Sequence, residues 1–153
     1  MKIVVASDHG GFTAKEAIVK ALEKLGLEVL DLGCRTEESC DYPDYARKVA
    51  QAVSQGRAEK GILVCGTGIG MSIAANKFPG VRAAVVWSRE TAHLAGEHNW
   101  ANVLCLSGRL FSGAQHITMI RAWLAAAFGE GRHSRRVKKI IKFESLSCKP
   151  RKS

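Results

Sequence analysis

Short apolar runs alternate with stretches of helical periodicity along almost the whole chain. Residues 2–6 are rich in β-branched side chains and end at Asp8-His9-Gly10-Gly11, a strand running into a loop. Residues 14–25 then place Ala17, Ile18, Ala21, Leu22 and Leu25 at helical spacing, with Gly26 where a C-cap glycine belongs. A second strand is predicted over 27–32. Pro43 opens a helix carrying Tyr45, Ala46, Val49, Ala50 and Val53, which Gly56 closes. A third strand over 61–64 runs straight into Cys65-Gly66-Thr67-Gly68-Ile69-Gly70, followed by a short helix over 71–77. Strands over 81–86 and 102–106 flank a helix over 90–97, a long apolar helix covers 113–128, and a basic helix covers 134–142.

This rhythm implies parallel strands joined by right-handed crossovers. The expected fold class is α/β: a three-layer α/β/α arrangement around a five-stranded parallel sheet, Rossmann-like. The 153 residues suffice for one core. The expected division is a single domain over 1–143 and a frayed basic tail over 144–153. With 46% hydrophobic residues the chain is not disordered, and no run approaches the roughly 20 apolar residues of a membrane span. The opening Met1-Lys2-Ile3-Val4-Val5-Ala6-Ser7-Asp8 is too short an apolar run for a signal peptide, so a cytoplasmic location is expected.

Charge is unevenly placed. Residues 1–130 carry 14 Lys and Arg against 13 Asp and Glu, whereas 131–153 carry nine against one. The net charge of +9 therefore describes a basic C-terminal segment on a nearly neutral body. A solvated tail with a few anion-binding arginines explains it better than a nucleic-acid or membrane surface. The five cysteines, Cys34, Cys40, Cys65, Cys105 and Cys148, form no CxxC pair, which disfavours both a disulfide framework and a closed zinc site.

In open parallel sheets, ligands bind beyond the carboxyl ends of the strands. The glycine loop at 65–70 lies there. It lacks the lysine of a phosphate-binding P-loop, the spacing of a dinucleotide fingerprint, and the arginine of a phosphatase loop, since Met71 holds that position. Three glycines behind a cysteine at a helix start instead point to backbone N–H groups holding an anion or enolate. Cys65 is the one cysteine with such a setting; its thiolate could serve as nucleophile or as base. Asp8-His9 occupies the same edge and suits sugar hydroxyls or proton transfer. On spacing alone His98-Asn99 reads equally as a helix cap or a functional pair. Arg132 and Arg136, four apart, share a helix face that can hold a phosphate. The histidines show no metal-ligand spacing, so no metal and no cofactor are expected.

Taken in order, these letters resemble the type B ribose-5-phosphate isomerase family, related to galactose-6-phosphate isomerase. The matching pieces are Ser7-Asp8-His9-Gly10-Gly11 with Lys15, Asp41-Tyr42-Pro43, Cys65 to Gly70 with Ile73-Ala74-Ala75-Asn76-Lys77, and Gly80-Val81-Arg82-Ala83. They continue with His98-Asn99, Asn102-Val103-Leu104, Gly108-Arg109, and Gly131-Arg132-His133 with Arg136. The resemblance implies a metal-free aldose–ketose isomerase that interconverts ribose 5-phosphate and ribulose 5-phosphate. It implies Cys65 as the base, His98 as the group that helps open the sugar ring, and Thr67 as part of the catalytic loop. It further implies that Gly66, Thr67, Gly68, Ile69 and Gly70 hold the enediolate, that Asp8, His9 and Asn99 bind the sugar, and that Arg109, Arg132 and Arg136 bind the substrate, chiefly its phosphate. A six-carbon sugar phosphate (allose or galactose 6-phosphate) is the alternative substrate. From other classes, a thiol hydrolase using Cys65 and His98, or a nucleic-acid module using the tail, remain as competitors.

One geometric expectation follows. Cys65 and Asp8 follow strands, at the carboxyl edge, whereas His98-Asn99 precedes one, at the amino edge. A five-residue strand puts roughly 16 Å between those edges. A homodimer, alone or as half of a dimer of dimers, with its active site shared between subunits is therefore expected, and neither nucleic acid nor membrane as a partner.

Overall fold

Each strand of the sheet returns to its starting edge through a helix, so the strands run in one direction. In the computed structural model, which describes residues 1–147, the strands are β1 (Lys2–Ser7), β2 (Glu28–Asp31), β3 (Lys60–Cys65), β4 (Ala83–Val85) and β5 (Val103–Ser107). They form one sheet in the order β2-β1-β3-β5-β4, parallel at every pairing. The helices are α1 (Phe12–Lys24), α2 (Tyr42–Ser54), α3 (Ile69–Ala75), α4 (Arg89–Glu97), α5 (Gly113–Ala125) and α6 (Arg132–Ser147).

The inner strands β1, β3 and β5 are buried on both faces, as a parallel sheet between helices requires. Ile3, Val5, Ile62, Val64, Leu104 and Leu106 pack with Ile18 and Leu22 of α1, Ala92 and Ala95 of α4, and Met119, Ile120 and Trp123 of α5. Val4, Ala6, Leu63, Val103 and Cys105 pack on the other face with Val49 and Val53 of α2 and Met71 and Ala75 of α3. Each fully buried aliphatic side chain contributes about 1.5–3 kcal/mol relative to exposure. The expected three-layer α/β/α fold is thus the one observed.

The differences lie at element ends. A 3-10 turn over His9–Gly11 precedes α1, because Asp8 Oδ1 accepts the Gly11 N–H (3.0 Å) and folds the loop onto itself. Helix α3 begins two residues before position 71, since the left-handed Gly68 (φ 83°) lets Ser72 N–H reach the Gly68 carbonyl. Helix α5 stops at Ala125, where Ala126 turns extended. The basic helix is longer than the predicted 134–142: α6 continues through Ser147, held by buried Val137 and by Glu144 Oε1, which accepts the Gly80 N–H at 2.9 Å. Part of the tail expected to fray, 148–153 with Cys148, lies outside the described residues. Among the described residues no helix is long and apolar enough to cross a membrane.

Candidate active site

The chain leaves β1 toward β2 on one side and later places β3 on the other, so the β1–β3 boundary is the topological switch point. A crevice opens there beyond the strands' carboxyl ends. The loops after β1, β3 and β5 interlock around it. Asp8 N–H donates to the Val64 carbonyl (3.2 Å), Gly108 N–H to the Cys65 carbonyl (2.8 Å), and Ser107 Oγ to the Gly66 carbonyl (2.7 Å). A Cβ on Gly108 would stand 2.7 Å from the Gly10 carbonyl oxygen, so only glycine permits this approach.

Cys65 ends β3 with 6% of its surface exposed. Its Sγ accepts the Gly68 N–H at 3.1 Å, a bond of the kind that strengthens when its acceptor carries charge. Gly68 can aim that N–H inward because its φ is 83°. Thr67 is exposed, and its Oγ1 accepts the Ile69 N–H (3.3 Å), leaving the hydroxyl proton to donate outward. The Arg109 guanidinium lies over Gly66, within 3.6 Å of where a Cβ there would sit. Asp8 is 8% exposed beside the same crevice. His9 Nδ1 accepts the Cys40 N–H (3.2 Å); an amide can only donate, so Nδ1 presents its lone pair and the neutral ring carries its proton on Nε2. Tyr42 crosses Gly70, where a Cβ would meet its ring at 2.6 Å. Nearby Cys105 is fully buried, and burial, then Cys65, pushes its thiol far up, so it is inert.

The other sequence-predicted residues are elsewhere. His98 caps the C-terminus of α4, and its ring stacks on His133 at 4.0 Å and 11°. Arg132 Nε donates to His133 Nε2 (3.4 Å), and Glu97 Oε2 lies 3.7 Å from His98 Nε2. Partial burial, then the positive fields of His98, Arg132 and Arg136, hold His133 below the usual histidine range. His98, Arg132 and Arg136 thus form a second cluster, with Asn99 adjoining. This cluster belongs to the amino edge. Gly61 N–H bonds the Asn102 carbonyl, Val103 pairs with Gly61 and Ser107 with Cys65. The start of β5 is therefore about 13 Å of strand away from Cys65, with His98 before it.

Within one chain, Asp8, His9, Cys65, the loop to Gly70 and Arg109 come together; His98, Asn99, Arg132 and Arg136 do not join them. Sequence reasoning missed Tyr42, Ser107 and His133 as site neighbours. Tyr42 had a signal, because Asp41-Tyr42-Pro43 opens a helix at the functional edge; His133 sits between the two predicted arginines. Among the described residues no group of three or more His, Cys, Asp or Glu is placed to hold a metal ion.

A family model described as Ribose/Galactose Isomerase matches residues 3–140. The chain is 46% identical to a probable ribose-5-phosphate isomerase B of Mycoplasma pneumoniae, covering 93% of this chain and 94% of that one. It is 45% identical to ribose-5-phosphate isomerase B of Escherichia coli over 94% and 96% of the two chains. Among solved structures it superposes on Clostridium thermocellum ribose-5-phosphate isomerase B with a TM-score of 0.94 and 47% identity, covering 96% and 99%. The Mycoplasma genitalium enzyme, solved with bound ribulose-5-phosphate, gives 0.91 and 45% identity over 94% and 96%.

Proposed function

The chain belongs to the ribose/galactose isomerase family, and on that premise we propose that it interconverts ribose 5-phosphate and ribulose 5-phosphate through an enediolate, with Cys65 as base. The observation that carries this reading is Cys65 at the end of β3, its sulfur under the Gly68 N–H and its loop facing Asp8, His9 and Arg109. In the open-chain aldose, the Cys65 thiolate takes the C2 proton and returns it to C1, while negative charge builds on the carbonyl oxygen. Preorganised N–H groups at that oxygen are usually the largest catalytic contribution. Gly68 and Ile69 spend their N–H groups on Cys65 and Thr67, so the amides of Gly66, Thr67 and Gly70 are left for the oxyanion. The Nε2–H of His9 and the Asp8 carboxylate suit the sugar hydroxyls, and Arg109 the anionic substrate.

Ring opening falls to His98 and phosphate binding to Arg132 and Arg136, at the opposite edge. The reading therefore includes a two-fold dimer in which the amino-edge cluster of one subunit completes the carboxyl-edge site of the other. Closed two-fold dimers are the commonest assembly. Exposed apolar side chains at both edges support it: Ile69, Ile73 and Leu110 around the crevice, and Trp100 and Ile140 beside Asn99 at the amino edge. The test is to assay the purified protein on five- and six-carbon sugar phosphates alongside Cys65→Ala. Rapid turnover of ribose 5-phosphate, absent in the variant, is expected. Preference for a six-carbon sugar phosphate would replace the substrate, and a covalent sugar-free acyl or phosphoryl enzyme would replace the reaction.

A further inference from the structure

Residues 33–41 lie against the carboxyl-edge crevice and bring two thiols to one place. Cys34 is 3% exposed; its S–H donates to the Thr36 carbonyl (3.3 Å), and its sulfur lies 3.7 Å from Ser7 Oγ. Cys40 is half-buried, with its sulfur 4.0 Å from His9 Nδ1. The two thiols are neighbours: Cys34 rests on Ser7 and Cys40 on His9, two residues further along at the exit of β1, and the Cys40 thiol bears on that of Cys34. Both are free thiols. They form no CxxC pair in sequence; side by side next to a substrate-edge histidine, they have a chemistry of their own.

The geometry points to a reversible dithiol–disulfide site formed by Cys34 and Cys40, whose closure weakens sugar-phosphate binding by releasing His9. The oxidant is a low-molecular-weight disulfide such as oxidised glutathione. The half-buried Cys40, as thiolate, attacks one sulfur of that disulfide, forming a mixed disulfide and expelling one small thiolate, which takes up the Cys40 proton. Cys34, as thiolate, then attacks the Cys40 sulfur, and the second small thiolate leaves with the Cys34 proton. Two protein thiols and one small disulfide thus become one protein disulfide and two small thiols.

The consequence for His9 follows from which main chain can move. A disulfide brings its sulfurs to about 2.05 Å, closer than two thiols can stand. Cys34 is pinned to β1, with its N–H on the Ser7 carbonyl (2.8 Å) and Ser7 N–H on the Gly33 carbonyl (2.6 Å). The Cys40 end must therefore yield, and its N–H is the group that fixes the His9 ring. Drawing Cys40 toward Cys34 breaks that bond and frees His9 to turn away from the crevice.

The effect on activity rests on the proposed isomerase reading; the bridge does not, and the experiment separates them. Trypsin cuts after Arg35, so Cys34 and Cys40 fall on adjacent peptides, 25–35 and 36–47. The full-length protein is treated with oxidised glutathione, its free thiols are alkylated under denaturing conditions, and it is digested without reductant. The expected result is one cross-linked species joining those peptides, dissolved by dithiothreitol and absent in Cys34→Ser and Cys40→Ser. In parallel the KM for ribose 5-phosphate rises about two- to tenfold, the effect of one neutral hydrogen bond, and Cys34→Ser shows no rise. Recovery of both peptides fully alkylated, or cross-linked only to Cys65 or Cys105, would overturn the site. A bridge with unchanged KM would overturn its coupling to His9. A reduced protein with no isomerase activity would instead refute the functional reading while the cross-link still reports on the bridge.

Discussion

Two cysteines on adjacent strands, Cys65 at the end of β3 and Cys105 in the middle of β5, have different surroundings. Cys105 is sealed in the core, where burial disfavours its thiolate. Cys65 opens onto the crevice at the strand end and receives an amide N–H. The difference is one of position along adjacent strands rather than of residue type. Cys65→Ala is therefore expected to lower kcat by at least ~100-fold, the lower range of general-base contributions, with substrate binding retained. Exchange of the C2 proton with solvent, followed by NMR, should vanish with turnover; a variant retaining most of its kcat would remove Cys65 from the base role. Thr67 and Gly68 show the same economy: one hydroxyl and one left-handed glycine shape a loop that presents amides inward.

Between elements, a buried charge ties α1 to β2. Lys15 is completely buried and paired with Asp31 and Glu16, and Asp31 in turn accepts the Gly33 N–H at 2.8 Å. Burial pulls its ammonium down, but the hydrogen bonds and charges of the two carboxylates outweigh that and raise it above its ordinary 10.5. A raised folded value means that the stability Lys15 contributes is fully present below pH 10.5 and lost only as pH climbs through that higher value. Neutral-pH denaturation should thus read it whole. Lys15→Met is expected to cost about 2 kcal/mol, less than the 3–5 of a fully buried pair because both carboxylates keep contact with water. The midpoint in urea is the measurement. At the start of α6, Arg132→Ala and Arg136→Ala should each raise KM for ribose 5-phosphate by the equivalent of about 1.5–3 kcal/mol, leaving kcat less changed. Steady-state kinetics check this, with unphosphorylated ribose as the control that should be insensitive.

At the scale of the molecule, the notable property is that one chain places two clusters, the Cys65 loop and the His98–His133 pair, on opposite edges of one sheet. Subunit mixing tests their union. Inactive Cys65→Ala and His98→Ala subunits, combined and allowed to exchange, should regain up to about a quarter of wild-type activity per total sites, because half of a random mixture of two-fold dimers is mixed and each mixed dimer has one intact site of two. Recovery should track subunit exchange in rate. No recovery despite demonstrated exchange would place both residues in one site of a single chain.

Much of this was legible in the letters. The β-branched runs and the spacing of Ile18 with Leu22 and of Val49 with Val53 determine strands and amphipathic helices locally, through periods of two and 3.6. The opposition of Cys65 and His98 was also legible, since a strand's direction is settled by the helices around it. Other features depended on contacts between residues distant in sequence. The α6 extension past 142 needs Glu144 to meet Gly80, and His133 acquires its character only where α6 brings it against His98. The meeting of Cys34 with Cys40 beside His9 depends on β1 pinning one end of a loop while His9 holds the other. Periodicity reports which face of an element is buried; only packing decides which loop residues meet across that burial, because loops carry no repeat from which their partners could be read.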